Sequence, residues 1–270
     1  MHLWRLFFVK KFGNKGKRIE VRNEMTENTS EFKMLVAGEH GLVIEFGTVI
    51  SPAINVLVQQ MSRLLLIKKN QGIIEIVPTY RSVTVYFDPL IITRQDLSQI
   101  IIALFSEIRQ QDVESLSSKI VHVPVCYGGV LGPDIELVAR YTGLTAQKMI
   151  ALHTSKPYLV YMLGFIPGFP YLGGLPSQLA VPRQVKPRTN IPAGSVGIGG
   201  SQTGFYPIES SGEWWLIGRT PIKAFNPKSS NPFLFSPGDY LHFVEISIDE
   251  YFAIRREVEA DKYVPRVSYM

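Results

Sequence analysis

Three cations in a short, proline-flanked stretch are the residues whose types and spacing most readily bind an anion. Arg183, Lys186 and Arg188 lie within six residues, next to Pro182 and Pro187. Proline fixes φ and restricts the residue before it, so these side chains stand on a stiff, extended backbone. Arginine binds a carboxylate or a phosphate through two parallel hydrogen bonds. The stretch therefore predicts an anion-binding loop, with a solvated charged loop as the alternative.

A glycine-rich segment follows the cations and adds neutral hydrogen-bonding groups. It lacks a Gly-Lys-Ser/Thr sequence, which excludes a P-loop, and Gln202 stands where a dinucleotide fingerprint has its third glycine. Glycines permit positive φ and close approach to a ligand, here at Gly199 and Gly200, although barrel turns explain them equally well. Gln202, Thr203 and Tyr206 offer hydrogen bonds that suit an amide or lactam substrate.

Other catalytic patterns in the sequence are incomplete. Ser195 lies in a segment similar to a nucleophile elbow, and Asp239 and His242 follow in hydrolase order, but the glycines after Ser195 disfavour the helix that an elbow needs. The single cysteine, Cys126, lies in an apolar run, which indicates a core residue and excludes an internal disulfide. The five histidines are scattered, without the spacing of a metal site: His2, His40, His122, His153 and His242.

Composition indicates a globular protein with a basic N-terminal segment. The chain has 270 residues, of which 46% are hydrophobic and 19% charged. Its net charge of +5 is concentrated in residues 1–33, where eight basic and four acidic residues give +4. A basic tail can bind nucleic acid or anionic lipid. We interpret the segment instead as a flexible extension, or as the product of an upstream start codon with Met25 or Met34 nearer the true start.

The sequence shows no membrane segment and no DNA-reading element. No apolar run approaches the ~18 residues that a membrane span needs, and the first residues lack a signal-peptide cleavage site. One cysteine suits a reducing compartment. A helix predicted near residue 150 carries Gln147 and Lys148 alone as DNA-contacting groups, too few for a recognition helix. We therefore expect a cytoplasmic protein without a membrane or nucleic-acid partner.

The elements that must position these residues fall into two groups, which predicts an α+β fold. The first group is an N-terminal domain, residues 34–112, in the order ββαββα. Two helices are predicted after Ser51 and after the pair Thr93 and Asp96, which resemble helix caps. Polar residues 113–119 predict a linker. Apolar alternation predicts four strands in this domain, at residues 34–37, 42–46, 73–77 and 83–87.

The second group, residues 120–250, is predicted to form a small β-barrel. Its segment 158–221 has many prolines, glycines and aromatic residues, which is typical of ordered functional loops. Many short strands with Gly/Pro turns favour a closed barrel. Residues 251–270 are predicted to be a C-terminal extension. The predicted strands and helices are 120–125, 134–141 (helix), 145–153 (helix), 158–163, 214–218 and 240–246.

Several long motifs in the second group resemble one protein family. They are GFIPGFPYLGGLP (164–176), PRQVKPRT (182–189), PAGSVGIGGSQTG (192–204) and GRTP (218–221), with CYGGVLGPDIELVARYTGL (126–144) and ALHTSKPYLVYMLGF (151–165) upstream. Over roughly residues 34–250 the chain is identified as a member of the KipI/allophanate hydrolase subunit 1 family, and within it the B-subunits of 5-oxoprolinases are what it resembles most. The family usually has SPGGW where this chain has Ser210 to Trp214.

The resemblance implies a cyclophilin-like barrel and a place in a composite enzyme. Such family members act with a second carboxyltransferase-like subunit and a lactam-utilisation subunit to open 5-oxoproline to L-glutamate. ATP is expected to be used by the assembled complex; no cofactor motif is recognisable in this chain, which should be inactive alone. The alternatives are a non-catalytic inhibitor of sensor histidine kinase autophosphorylation, acting through the N-terminal domain, and a subunit related to allophanate hydrolase or urea carboxylase.

For that reaction the site is predicted in the barrel domain. Charge developing on the lactam oxygen needs preorganised donors, for which Arg183, Arg188 and Gln202 are the candidates. Arg188 is expected either to point into the cleft or to fix the loop to the barrel. His153 matches the family's histidine and is expected to act in acid/base catalysis or hydrogen bonding, unless its role is structural. Lys186 is expected to anchor the substrate carboxylate. The other predicted substrate-binding residues are Thr203, Tyr206, Gly199 and Gly200.

Overall fold

The computed structural model describes residues 32–68, 71–110 and 118–270. The basic extension, except its last two residues, and most of the predicted linker lie outside these residues. No helix in the described part of the chain is long and apolar enough to cross a membrane.

The helices are α1 (Pro52–Lys68), α2 (Arg94–Gln110), α3 (Ile135–Thr142), α4 (Ala146–His153) and α5 (Ile248–Glu259). The strands are β1 (Lys33–Val36), β2 (Gly41–Glu45), β3 (Ile73–Pro78), β4 (Ser82–Phe87), β5 (Lys119–Tyr127), β6 (Tyr158–Leu163), β7 (Pro170–Gly173), β8 (Arg188–Ile191), β9 (Ser195–Gly199), β10 (Gln202–Phe205), β11 (Ser210–Gly212), β12 (Trp215–Arg219), β13 (Tyr240–Glu245) and β14 (Val267–Tyr269).

The N-terminal unit is a four-stranded antiparallel sheet with α1 and α2 packed on one face. The strand order is β1-β2-β4-β3. Alternate strand residues, such as Val83, Val85 and Phe87 of β4, are buried in the same cluster as Val58 of α1 and Leu97 of α2. A sheet with one apolar face requires a covering layer, and the helical stripes supply it. The predicted ββαββα arrangement is confirmed.

Both helices of this unit begin where their caps predict. Ser51 Oγ accepts a hydrogen bond from the backbone N–H of Ile54 at 3.2 Å. Thr93 Oγ1 accepts one from the backbone N–H of Asp96 at 3.1 Å. Each bond satisfies a donor that a helix N-terminus otherwise leaves without a partner.

The hydrophobic core of this unit includes Phe32, which the sequence analysis assigned to the basic extension. Phe32 is buried, and its ring centroid lies 4.7 Å from that of Phe105 and 6.1 Å from that of Phe46. Lys33 is the first residue of β1. The core of this unit therefore includes Phe32, two residues ahead of the predicted start, because tertiary packing uses an apolar side chain at the end of a polar segment.

The second unit contains an eight-stranded sheet that curls into a nearly closed barrel. The strand order is β10-β9-β12-β5-β13-β6-β7, and β14 pairs with β5. The two ends of this order approach closely, since a Cβ atom on Gly204 of β10 would lie 3.2 Å from the carbonyl oxygen of Pro170 in β7. The buried faces of β5, β6, β9 and β13 form the main core together with α3 and α4. The predicted α+β class, with a barrel after the small domain, is confirmed.

Residues 251–270, which the sequence predicts as an extension, are part of this second unit. α5 begins with a capping box in which the side chains of Ser247 and Glu250 each accept a backbone hydrogen bond from the other residue. Tyr251 of α5 is buried beside Cys126 and Leu131. β14 then pairs in antiparallel register with β5. Burial raises the pKa of the Cys126 thiol, as expected for a core cysteine.

Candidate functional site

A cleft of about 320 Å³ opens beside the two-stranded sheet that β8 and β11 form. Its lining comes from the loop between β6 and β7, the cationic loop before β8, and the segment from the end of β10 to β12. Its polar side chains include Arg183, Ser211 and Glu213. Its aromatic lining residues are Phe165, Phe169, Tyr171, Tyr206 and Trp214.

The aromatic wall is held by ring packing around Phe169. The ring centroids of Tyr171, Tyr206 and Trp214 lie 5.3–5.5 Å from that of Phe169, each in an edge-to-face arrangement. This is the geometry that aromatic quadrupoles favour. Phe169, Tyr206 and Trp214 are buried, so the wall is preorganised by its own core cluster. The aromatic residues of the long motif region thus form one face of the cleft.

Phe165 lies at the mouth of the cleft in an unusual backbone conformation. Its φ is 66°, in the left-handed region that non-glycine residues rarely adopt. The residue is 60% exposed, and its ring lies in an edge-to-face arrangement with that of Phe169, with ring centroids 5.6 Å apart. A large apolar side chain held in a strained conformation at a pocket entrance is typical of ligand-contacting positions. We therefore include Phe165 in the candidate site.

Arg183, which lines the cleft, is hydrogen-bonded to Gln202 beside it. The Arg183 Nη2 atom donates to Gln202 Oε1 at 3.0 Å, and Gln202 Nε2 donates to the hydroxyl of Tyr80 at 2.6 Å. Arg183 also lies 3.9 Å from Glu213, a half-exposed pair that holds the guanidinium weakly. Arg183 is half exposed and lines the cleft, so it can reach a bound anion. Two of the predicted residues are thereby brought together, with Tyr80 of the N-terminal unit beside them.

Neutral phenols surround this cation. Burial raises the pKa of Tyr206 to about 12, although the charge of Arg183 opposes the shift. Burial also raises the pKa of Tyr171, again against the influence of Arg183. Both hydroxyl groups therefore stay protonated near neutral pH, so each keeps a proton to donate to an acceptor. The predicted substrate-binding residue Tyr206 lies in the cleft lining.

The guanidinium of Arg188 is directed at Asp134 and not at the cleft. Its two Nη atoms each lie 2.7 Å from one carboxylate oxygen of Asp134, which is buried and also accepts from the backbone N–H of Leu216 at 2.7 Å. Of the two expectations for Arg188, this geometry favours the one in which it fixes the loop to the barrel. Its predicted catalytic role stays a prediction.

His153 is enclosed in the barrel core, away from the cleft lining. Its Nδ1 lies 2.7 Å from the Tyr127 hydroxyl, and its Nε2 lies 2.7 Å from Thr203 Oγ1. Because Thr203 donates to the carbonyl of Gly197 at 3.0 Å, the network assigns the ring proton to Nε2. Burial lowers the pKa of His153 to about 3, so the ring is neutral. This favours the structural alternative for His153, and the substrate-binding role of Thr203 stays a prediction.

The two predicted site glycines meet different constraints. A Cβ atom on Gly199 would overlap the indole ring of Trp214, so glycine here lets the aromatic wall pack against β9. Gly200 has a φ of 65° and open space around it, and its backbone pairs with Val181. Lys186 is exposed and has no ion pair among the residues that the structure describes. Binding roles for these three residues stay predictions.

Sequence patterns missed several residues of this site. Tyr80 lies in a turn 122 residues before Gln202 in the chain, and no local pattern connects the two. Asp134 resembles an ordinary residue at a helix start, so its sequence context gives no sign of a buried ion pair. Glu213 lies at the position where the chain departs from the family's SPGGW motif. No group of three or more His, Cys, Asp and Glu side chains suited to a metal ion occurs in the described residues.

Comparisons with known proteins show which proteins this chain is similar to. The B-subunit of 5-oxoprolinase from Bacillus subtilis (strain 168) is 40% identical over 238 residues, which cover 85% of this chain and 99% of that protein. The corresponding B-subunit from Escherichia coli O157:H7 is 51% identical over 127 residues, 47% of this chain and 58% of that protein. More distantly, the urea amidolyase of Saccharomyces cerevisiae is 25% identical over 249 residues, 79% of this chain and 13% of that protein.

This chain also matches a solved structure and a protein-family model. The crystal structure of TTHA0988 superimposes with a TM-score of 0.69 at 33% identity, covering 77% of this chain and 40% of that one. Residues 32–235 match the family described as carboxyltransferase domain, subdomain C and D, a range that contains the cleft and Tyr80. The resemblance to the 5-oxoprolinase B-subunits is confirmed, and the chain belongs to the carboxyltransferase domain, subdomain C and D, family.

Proposed function

We propose that this chain is one subunit of a composite, ATP-dependent 5-oxoprolinase. The observation that carries the proposal is the cleft, in which the Arg183 cation lies among neutral phenols and an aromatic wall. Similarity to a 5-oxoprolinase B-subunit over nearly the whole length of the Bacillus subtilis protein supports it. In this proposal the chain acts with a second carboxyltransferase-like subunit and a lactam-utilisation subunit to convert 5-oxoproline to L-glutamate.

The chemistry of 5-oxoproline matches the groups in the cleft. Its carboxylate suits Arg183, which can pair with it in a bidentate, charge-assisted arrangement. Its small ring suits contact with Phe165 and Phe169. Its lactam carbonyl gains negative charge when the amide bond is attacked, and a donor such as the Tyr206 hydroxyl would stabilise that charge. In this proposal the carboxylate, the ring and the carbonyl of the substrate contact a cationic, an apolar and a hydrogen-bonding part of the cleft, respectively.

ATP enters this proposal as a co-substrate of the assembled complex. The glycine-rich segment of this chain is used in the ladder between β9 and β10, where residues 196–199 pair with residues 202–205. Backbone amides engaged in a ladder are not free to surround a phosphate in the manner of a P-loop. We therefore assign no phosphate site to that segment and expect the partner subunits to take part in ATP use.

Reconstitution tests the proposal. The chain is purified alone and together with the two partner subunits of its host, and glutamate release from 5-oxoproline is measured with and without ATP. We expect release from the full set with ATP and none from the chain alone. ATP-dependent release by the isolated chain would contradict a composite enzyme, and an inactive full set would overturn the oxoprolinase assignment.

A second function is favoured by the distant relatives. Urea amidolyases match most of this chain at about a quarter identity, which supports the alternative of a subunit related to urea carboxylase or allophanate hydrolase. The same reconstituted set, offered urea or allophanate in place of 5-oxoproline, distinguishes the two. Inhibition of a sensor histidine kinase through the N-terminal domain stays a prediction from the family resemblance.

A further inference from the structure

We propose that Tyr80, which the N-terminal unit contributes, is a positioning residue for Arg183 in the cleft of the second unit. The inference rests on the proposed function of that cleft. It assigns a role in the site to a unit that the family resemblance connects with a separate, kinase-directed activity. Three features carry it: how the Tyr80 backbone is held, what its ring contacts, and how its hydroxyl restrains Gln202.

The backbone of Tyr80 is held against the second unit by α1. Asn55 Nδ2 donates to the carbonyl oxygens of Thr79 and Tyr80, at 3.2 Å in each case, in the turn between β3 and β4. Gln59 Nε2 lies 3.3 Å from Asn55 Oδ1 and 3.2 Å from the carbonyl oxygen of Tyr161 in β6. Asn55 is buried. One helix therefore fixes the turn and bonds to the barrel at the same place.

The ring of Tyr80 packs directly behind the cleft. Its centroid lies 5.0 Å from that of Tyr161 and 6.1 Å from that of Tyr171, and the second pair is edge-to-face. Tyr171 lines the cleft and Tyr161 is buried. The packing leaves Tyr80 little rotational freedom, so its hydroxyl has a defined position relative to Gln202.

The hydroxyl of Tyr80 holds the Gln202 amide in the orientation that Arg183 requires. A glutamine amide has one accepting oxygen and one donating nitrogen. Because a guanidinium only donates, Arg183 Nη2 faces Oε1 at 3.0 Å, and Nε2 then donates to the Tyr80 hydroxyl at 2.6 Å. In the flipped orientation the amide NH₂ would face the guanidinium, donor against donor. Burial raises the pKa of Tyr80 to about 12, so its hydroxyl stays a neutral partner near neutral pH.

Without this restraint Arg183 would be a mobile surface side chain. It is half exposed, and its other polar contact among the described residues is the 3.9 Å pair with Glu213. A long side chain that is disordered before binding loses rotamer freedom when it grips a ligand, which weakens affinity. Tyr80 therefore acts on substrate binding through Gln202, without touching the substrate.

Steady-state kinetics of the reconstituted complex with 5-oxoproline and ATP test this role. Tyr80→Phe keeps the ring packing and removes the hydroxyl. We expect the KM for 5-oxoproline to rise about three- to tenfold while kcat changes by less than about twofold, because Arg183 is expected to bind the carboxylate equally in the ground and transition states. The matched control is Tyr86→Phe, an exposed tyrosine of β4 outside the site, for which no change is expected.

Two further variants separate positioning from a loss of structure. In a Gln202→Ala background the hydrogen-bonded link between Tyr80 and Arg183 is absent, so Tyr80→Phe should have no further effect on KM. In an Arg183→Ala background Tyr80→Phe should likewise have no further effect on the KM for 5-oxoproline. Effects of Tyr80→Phe that are equal in all backgrounds, or a KM equal to that of the wild type, would overturn the inference.

A measurement on the chain alone keeps the test independent of the enzymatic assignment. The side-chain ¹⁵N resonances of Arg183 are compared in wild type and Tyr80→Phe by NMR. Slower exchange of the guanidinium protons in the wild type supports the restraint, and identical spectra refute it. If the wild-type complex does not open 5-oxoproline, the proposed function fails, and this measurement still decides whether Tyr80 positions Arg183.

Discussion

Arg188 and Asp134 lie 54 residues apart in the chain and form a bidentate ion pair at 2.7 Å, with Asp134 almost completely enclosed. The pair joins the start of β8 to the start of α3. Asp134 also accepts from the backbone N–H of Leu216 in β12. One carboxylate thus joins three segments and anchors the cationic loop at its Arg188 end, while Arg183 lines the cleft at the other end.

Arg188→Ala should therefore lower stability and activity together. Removing the guanidinium leaves the buried Asp134 carboxylate without its charge partner, and breaking such a pair typically costs about 3 kcal/mol. We expect the free energy of unfolding to fall by roughly this amount in urea titrations. Lys186→Ala, two residues away and exposed, is the stability control and should leave the urea midpoint unchanged. A stable Arg188→Ala protein with reduced activity would instead point to a direct role in the site.

Arg183→Ala should lower activity without lowering stability. The side chain is half exposed, and its loss removes charge-assisted hydrogen bonds to the substrate carboxylate of the kind that contribute ~1.5–3 kcal/mol. That corresponds to about a ten- to hundredfold loss of kcat/KM in the reconstituted complex. Arg255→Ala, which removes an equally exposed ion-paired arginine from α5, is the control and should be neutral. Wild-type kinetics in Arg183→Ala would remove this cation from the site.

Gly199→Ala should disturb the aromatic wall. The added methyl group would overlap the Trp214 indole, and overpacking of this kind typically costs about 1–3 kcal/mol. We expect a lower thermal midpoint and a changed near-ultraviolet circular dichroism signal from the displaced ring. Gly200→Ala separates backbone strain from overlap, since that residue has a φ of 65° with open space around it and should cost about 1 kcal/mol without the spectral change. Equal spectra for both variants would argue against the steric explanation.

His153 should make stability depend on pH in the acidic range. Its pKa falls from an ordinary value of 6.5 to about 3 in the folded chain because it is buried. As the pH falls, the unfolded chain therefore binds the proton first. The contribution of His153 is fully present above about pH 6.5 and is lost progressively toward pH 3.

We expect this loss to approach about 1 kcal/mol per pH unit between pH 6 and 4. The measurement is the free energy of unfolding against pH for the wild type and for His153→Gln, whose amide can still bond to Tyr127 and Thr203. The difference between the two curves isolates His153 from the carboxylates, which titrate in both proteins. Parallel curves would show that His153 titrates normally and is not enclosed as described.

Much of the N-terminal unit could be predicted from local pattern alone. The caps at Ser51 and Thr93, the alternation in β4 and the helical stripe around Leu97 each involve residues within a few positions of one another, so their periodicity is visible without the fold. Phe32 shows the limit of that approach. One apolar residue at the end of a polar segment carries no periodicity, and its burial against Phe105 follows from packing alone.

The candidate site divides in the same way. The amino-acid sequence by itself determined which segments carry the site: the aromatic and glycine-rich motif region, and the cations at Arg183 and Arg188 with Gln202 after them. The tertiary structure decided what each of them does there. In the folded chain Arg188 pairs with a buried carboxylate and Arg183 lines the cleft. Tyr80 is hydrogen-bonded to Gln202, which lies 122 residues further along the chain. Hydrogen bonds and ion pairs act over a few ångströms, so the partner of a side chain is set by how distant segments pack, which local spacing does not encode.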